Sequence, residues 1–455
     1  MKIVIIGSGS VGETLVGFIC REGHNVTVID EDPDIVDAVV NKFDVMGIIG
    51  NGSSIGIQKD AGVPTCDLVI SVSPSDEMNL LCCMIARKLG AKHSIARVRD
   101  PEYLNQTRFM CNQLGIDMIV NPEYEAAREA ARIIRFPAAT KLEKFFQGQV
   151  EVAEIHIGEN HPLINVQLKE FKQKFNTPAL ICAARRNDET LIPGGDFVIS
   201  KGDDISITAQ RKDMFELFFK IGAISKHNRI KNVMILGGGR ISRYLASYIS
   251  SEFNVKIVEK NREICEELAA TLPKAEIIHG DPTDIDVLVE EGIDNMGACV
   301  TMTGDDKANV IISMFAKSRG VKKVITRVPS ALMKLSSSAG IDSNIAPNSL
   351  VVAKVLGYIR GLANVGAKGS KSAMKALYKM CDDTVEALQF DVAEDFDGLS
   401  TPLKNLKLRK NTLIAAIIRD GVVTYANGNS TLEIGDSAIV VTTSEKLYDL
   451  DDILD

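Results

Sequence analysis

The chain has 455 residues, 45 % of them apolar and 25 % charged, and a formal net charge of −8, a balance that fits a soluble globular protein with several cores of about 150 residues each. The acidic total argues against a surface built to grip nucleic acid, where a basic face supplies most of the affinity. No apolar run approaches the roughly 20 residues that span a bilayer, Met1-Lys2 leads straight into a strand with no signal peptide, and nine scattered cysteines with no CxxC fit a reducing compartment.

The first predicted strand, KIVII, runs into GSGSVG at 7–12 and then into an amphipathic helix. This is a full GxGxxG. Gly7 permits the tight turn after the strand, Gly9 lets backbone approach a pyrophosphate, and Gly12 permits close packing of helix on strand. Phosphate then sits on the free N–H groups of the helix N-terminus. Asp30 closes the second strand, NVTVID, 18 residues after Gly12, the place expected to hydrogen-bond a ribose hydroxyl. VMGII, DLVISVS, SIARV and DMIV continue the pattern, with helical stretches between. Strands alternating with helices predict a parallel, doubly wound sheet. At its carboxyl edge, where ligands sit in such sheets, fall Asn51-Gly52-Ser53, Ser73-Pro74 and Arg97. Arg97 has two readings: it reaches phosphate, or it pairs with Asp76, Glu77 or Asp100.

A helix is predicted at 122–135, with Ala126, Ala127, Ala130, Ile133 and Ile134 on one face. It is either an exchange or docking helix, or one packed on its own sheet. The stretch FPAATKLEKFFQG reads as a connector. After it, VEVAEIHI, PALICAARR, FVIS and DDISITAQ around a short helix near 164–174 predict a small α+β lobe.

From Lys231 the order begins again. Gly7 and Gly237 stand 230 residues apart, as do Gly50 and Gly280, and Arg97 and Arg327; LICAARR at 180–186 answers LIAAIIR at 413–419. The chain is a duplication. Its second turn is Gly237-Gly238-Gly239-Arg240-Ile241-Ser242, with serine at the third glycine position and an arginine inside the loop. Arg240 either adds a charge-assisted contact to phosphate or lies solvated over the turn. Glu259 replaces Asp30, and Asp281, Thr303 and Arg327 mark the second carboxyl edge. The second helix, at 347–360, carries Val351, Val352, Val355, Leu356 and Ile359 on its apolar face, and a glycine-containing, basic connector follows it. The expected architecture is α/β: two tandem Rossmann-like lobes, each followed by a small α+β lobe, at 1–135, 136–230, 231–360 and 361–455.

Several motifs carry no chemistry. GSKS at 369–372 lacks the glycine and strand of a phosphate loop. FDVAEDFDG at 390–398 fits no calcium loop, and the six histidines form no metal-ligand pair. A dinucleotide fold invites an alternative reading as a stand-alone NAD-dependent oxidoreductase. That reading needs a proton donor beside the nicotinamide, and no Tyr-x-x-x-Lys pair stands here. Duplication of both halves fits a device that reads nucleotide occupancy.

KIVIIGSGSVG, VTVID, GNGSS, SPSDEMN and IARVRDPEY, with MILGGGRIS and GDPTD in the second half, carry a resemblance over essentially the whole chain. The sequence resembles the TrkA family of Trk potassium-uptake regulatory proteins, built of tandem RCK (KTN) units. The resemblance implies a non-enzymatic cytosolic gating subunit, peripheral on the cell membrane. It further implies binding of NAD(H) and of ATP or ADP, a homotetrameric ring, and docking under a Trk-type potassium-conducting membrane subunit. By the same resemblance Gly7, Ser8, Gly9, Ser10, Val11, Asp30, Asn51, Gly52, Ser73, Pro74 and Arg97 line the first site.

Overall fold

A computed structural model describes the chain except residues 138, 140, 146–149, 188, 223–229, 367–373, 381–383 and 444–446, so the GSKS stretch lies outside the described residues. The first six strands form one sheet in the spatial order Met46–Ile49, Asn25–Asp30, Lys2–Ile6, Leu68–Ser71, His93–Arg97, Met118–Val120, all parallel. The second sheet repeats the order with Ala275–His279, Asn254–Glu259, Asn232–Leu236, Ala298–Thr301, Lys323–Arg327 and Ser343–Ile345. The central strands are fully buried, as in Ile3, Ile5, Leu68 and Ile70, because helices cover both faces and leave no side for alternating polar residues. The order reverses at the glycine-turn strand of each sheet, and this is the topological switch point.

Two antiparallel sheets follow. The first runs Glu189–Leu191, Leu180–Arg186, Asp204–Gln210, Val150–His156, Lys141–Phe145, and the second Met374–Met380, Val385–Asp391, Ser437–Thr442, Thr412–Arg419, Val422–Tyr425. They share a core: Val150, Val152, Cys182 and Ala183 pack with Val385, Ala387, Ala415, Ile439 and Val441. Each sheet is pinned at the same repeat position by a buried carboxylate. Asp203 takes two 2.7 Å bonds from Arg186 and one of 2.8 Å from the Ser200 N–H. Asp436 takes 2.9 and 2.8 Å bonds from Arg419 and one of 2.8 Å from the Glu433 N–H.

Three details differ from the sequence expectation. The first connector contains an edge strand, Lys141–Phe145, paired with Val150–His156. FVIS is not a strand; only Val198 bridges, to Gln167, and the Ile199 N–H bonds the Val166 carbonyl instead. A helix at Arg211–Lys220, absent from the sequence reading, packs Met214, Leu217 and Phe218 into the first small lobe.

The described chain forms two compact units, one of Met1–Ala126 with Ala346–Val352, the other of Ala127–Ile345 with Ala353–Asp455. The helices Pro122–Arg135 and Pro347–Gly366 each begin in the first unit and end in the second. Their apolar faces are covered within the chain: Ala126, Ala130, Ile134, Val351, Val355 and Leu356 are all at most 1 % exposed. These faces are therefore not free to dock a partner.

Candidate nucleotide-binding sites

The first turn follows from backbone geometry. Gly7 has φ +91°, and a Cβ there would lie 2.7 Å from the Ser73 N. A Cβ on Gly12 would run into the Gly7 carbonyl oxygen, so at this first turn the helix sits too close to the strand for any residue but glycine. Gly9 is different: it is extended (φ −64°, ψ −167°) and a Cβ there meets nothing within 4 Å. It faces open space at the N-terminus of the helix Ser10–Arg21, which has no side-chain cap. Neighbouring helices are capped, by Asp32 on Asp34 and Ile35, and by Ser75 on Met78. The N–H groups of Ser10, Val11 and Gly12 have no intrahelical acceptor and remain as donors. Ser8 is 2 % exposed and its Oγ has no partner. Asp30 accepts the Ser8 N–H at 2.6 Å and the Asp32 N–H at 3.1 Å, which fixes its carboxylate beside the turn. Uncapped donors, an open cradle and a fixed carboxylate fit the pyrophosphate and ribose of a nucleotide.

The other predicted residues divide. Asn51 Oδ1 accepts Ser53 N–H (2.8 Å) and Ser53 Oγ (2.5 Å), an Asx turn that shapes the loop. A Cβ on Gly52 would overlap Ile6 Cγ2, so Gly52 is a packing glycine. Ser73 is held by a residue missed in the sequence, Asn79, which is fully buried. Its Oδ1 accepts the Ser73 N–H at 2.7 Å, and its Nδ2 donates to the carbonyls of Ser73 (3.0 Å) and Arg97 (2.9 Å). Asn79 laces two strand ends together beneath the turn. The signal was present: SPSDEMN and TGDDKAN put an asparagine six residues after Ser73 and after Thr303. Asp76 takes the N–H groups of Arg99 and Asp100 at 2.8 Å, and Glu77 takes Ser75 Oγ and Tyr103. Pro74 accepts from Arg99 through its carbonyl.

The second site repeats the first with compensating changes. Glu259 takes the Gly238 N–H at 2.6 Å and the Asn261 N–H at 2.7 Å, as Asp30 does one methylene shorter. A Cβ on Gly238 would lie 3.0 Å from Glu259 Cγ and 2.8 Å from Leu268 Cδ1. The longer acid thus requires glycine where the first copy has Ser8. Gly237 makes the turn at φ +98°, and buried Ser242 stands in for Gly12. Gly239 is as open as Gly9, and its helix, Arg240–Ile249, is equally uncapped. Arg240 is exposed at the helix start, next to buried Ile241. Asn309 repeats Asn79, accepting the Thr303 N–H at 3.0 Å and donating to Thr303 and Arg327 carbonyls at 3.2 Å. Arg327 donates to the Thr303 carbonyl at 3.1 Å and lies 3.6 Å from Asp306. Asp281 forms the Asx turn with Thr283, whose hydroxyl and N–H hold its carboxyl below the usual range. Lys260 leans over this rim, 3.7 Å from Asp281, while Arg262 pairs with Glu266 along its helix.

No group of metal-ligating side chains stands together among the described residues, and no described helix is long and apolar enough to cross a membrane.

Comparison with known proteins places this architecture. The GsuK channel bound to NAD matches with a TM-score of 0.64 at 17 % identity over 97 % of this chain and 77 % of that one. The GsuK RCK domain gives 0.64 at 17 % over 97 % and 92 %. That likeness shows the fold, two tandem Rossmann lobes with paired glycine turns and antiparallel small lobes. The TrkA-N domain family matches residues 3–122 and 233–347, and the TrkA-C domain family matches 152–220. The Trk system potassium uptake protein TrkA of Halomonas elongata is 28 % identical over 98 % of this chain and 96 % of its own length. The TrkA homolog of Archaeoglobus fulgidus is 30 % identical over 100 % of both. The chain belongs to the TrkA family, which makes it a potassium-transport protein and not an enzyme.

Proposed function

We propose that the chain is the cytosolic, nucleotide-sensing regulatory subunit of a Trk-type potassium uptake system. It binds NAD(H) or ATP and ADP at the two glycine turns and passes occupancy to a potassium-conducting membrane subunit. Two sensing halves, 1–135 with 136–230 and 231–360 with 361–455, work as the repeat implies. The observation that carries the reading is the pair of uncapped helix N-termini, each facing an open glycine and each beside a carboxylate fixed by backbone N–H groups. Family membership over the whole chain supplies the transport context, and the GsuK structures are named for NAD and for ADP.

Assembly into a homotetramer on the membrane face belongs to the same proposal. The apolar residues that remain exposed support it, because they recur at repeat-related positions: Leu81 and Met84 on one helix, Ile311 and Met314 on its counterpart. Isolated exposed apolar residues need no explanation, but a patch repeated in both lobes marks an interaction face. Calorimetric titration of the full chain with NAD, NADH, ATP and ADP tests the reading. Saturable binding of at least one, lost on substitution of Gly9 and Gly239, supports it; no binding of any removes it.

A further inference from the structure

The first nucleotide site receives a residue from the far half of the chain. Asn348 is the second residue of the helix Pro347–Gly366, and its Nδ2 donates to Ser10 Oγ at 2.9 Å. Ser10 is the first residue of the uncapped helix that follows the glycine turn. Both residues belong to the first compact unit, which recruits Ala346–Val352 from a distance of more than 200 residues along the chain. The repeat-related position in the first helix is Glu123, so the first site has a neutral amide where the repeat carries a carboxylate.

A primary amide has two N–H donors and one carbonyl acceptor. One Asn348 donor is engaged by Ser10, the first residue of the helix whose Ser10, Val11 and Gly12 N–H groups have no intrahelical acceptor, and the amide carries a second donor. We propose that Asn348 is a phosphate-contacting residue of the first site, completing it for a nucleoside diphosphate or dinucleotide. This rests on the reading that the first turn binds a nucleotide. A carboxylate at 348 would face the phosphate with like charge, and unit charges about 4 Å apart repel by about fivefold in affinity in bulk water and by more near a protein surface.

The test uses the full chain carrying Gly239→Val, so that only the first site is read, and compares Asn348→Asp, Asn348→Ala and Ser10→Ala. The ligands are ADP, NAD and adenosine, titrated by calorimetry at fixed salt. The expected result is a loss of about tenfold or more for ADP and NAD in Asn348→Asp, a smaller loss in Asn348→Ala, and adenosine unchanged. Equal affinities across the variants, or an equal loss for adenosine, would overturn the assignment. If the Gly239→Val chain binds none of the three ligands, the first-site reading fails at its root; if it binds them and the Asn348 variants bind alike, only this inference fails.

Discussion

Gly9→Val separates binding from folding. Gly9 is extended, in a backbone conformation open to any residue, and a Cβ there meets no atom within 4 Å. The folded chain should accept valine with little change in melting temperature. The added side chain instead occupies the space through which phosphate reaches the Ser10, Val11 and Gly12 N–H groups. Hydrogen bonds to a charged group are each worth about 1.5–3 kcal/mol. Loss of one or two amounts to about 2–4 kcal/mol, or roughly 30- to 1000-fold in affinity. Gly12→Ala is the contrast. Its Cβ would run into the Gly7 carbonyl oxygen, so helix and strand must part, at a cost of about 1–3 kcal/mol of stability. Calorimetric titration with NAD and ADP, alongside thermal unfolding, reads both effects. A Gly9→Val chain that keeps first-site affinity, or that melts as early as Gly12→Ala, would refute the placement of phosphate at this turn.

Three further outcomes are expected. Asp203→Asn leaves Arg186 without its charged partner at a fully buried carboxylate; because Arg186 is partly exposed, the loss is about 2 kcal/mol, read as a shift in urea midpoint, and no shift would remove the pair as a pin of the small lobe. Lys323 is buried and donates to the Ala139 carbonyl at 2.6 Å, and burial pushes its amine down to about 8. The folded chain then binds fewer protons there than the unfolded one between about 8 and the ordinary lysine value near 10.4, so wild-type stability measured against Lys323→Met should rise as pH climbs through that window, and a flat difference would contradict it. The first site, with Asp30-Glu31-Asp32 at the ribose end, should reject NADP relative to NAD more sharply than the second, where Lys260 leans over the rim, by on the order of 1–2 kcal/mol; equal discrimination in chains with one site silenced, Gly9→Val against Gly239→Val, would show that these charges do not shape the pockets.

The sheet order and both glycine turns were legible because they rest on local rules. Gly7 answers to a positive φ in its own turn and Gly12 to the Gly7 carbonyl oxygen five residues back, and strand–helix alternation admits few topologies. The repeat made the second copy readable by transfer, even where Glu259 and Gly238 changed together. Asn79 was missed, although its repeat in Asn309 marked it, because an asparagine inside a helix gives no sign that it caps strand ends. Asn348 left no mark at all, since its contact to Ser10 joins positions far apart in the chain. The strand Lys141–Phe145 hid in a lysine-rich connector because it lies at a sheet edge, where a short, charged strand is the rule. The apolar faces at 122–135 and 347–360 showed burial but not what covers them.

The most direct test of the account is potassium flux through the Trk-type membrane subunit reconstituted in proteoliposomes with the full-length chain. Flux is measured with and without NADH, ATP and ADP, and again with the Gly9→Val, Gly239→Val double variant. The account predicts flux that depends on the chain and changes with at least one nucleotide, with the nucleotide effect absent in the double variant. Flux that is the same with and without every nucleotide, or a nucleotide effect that persists undiminished in the double variant, would contradict it.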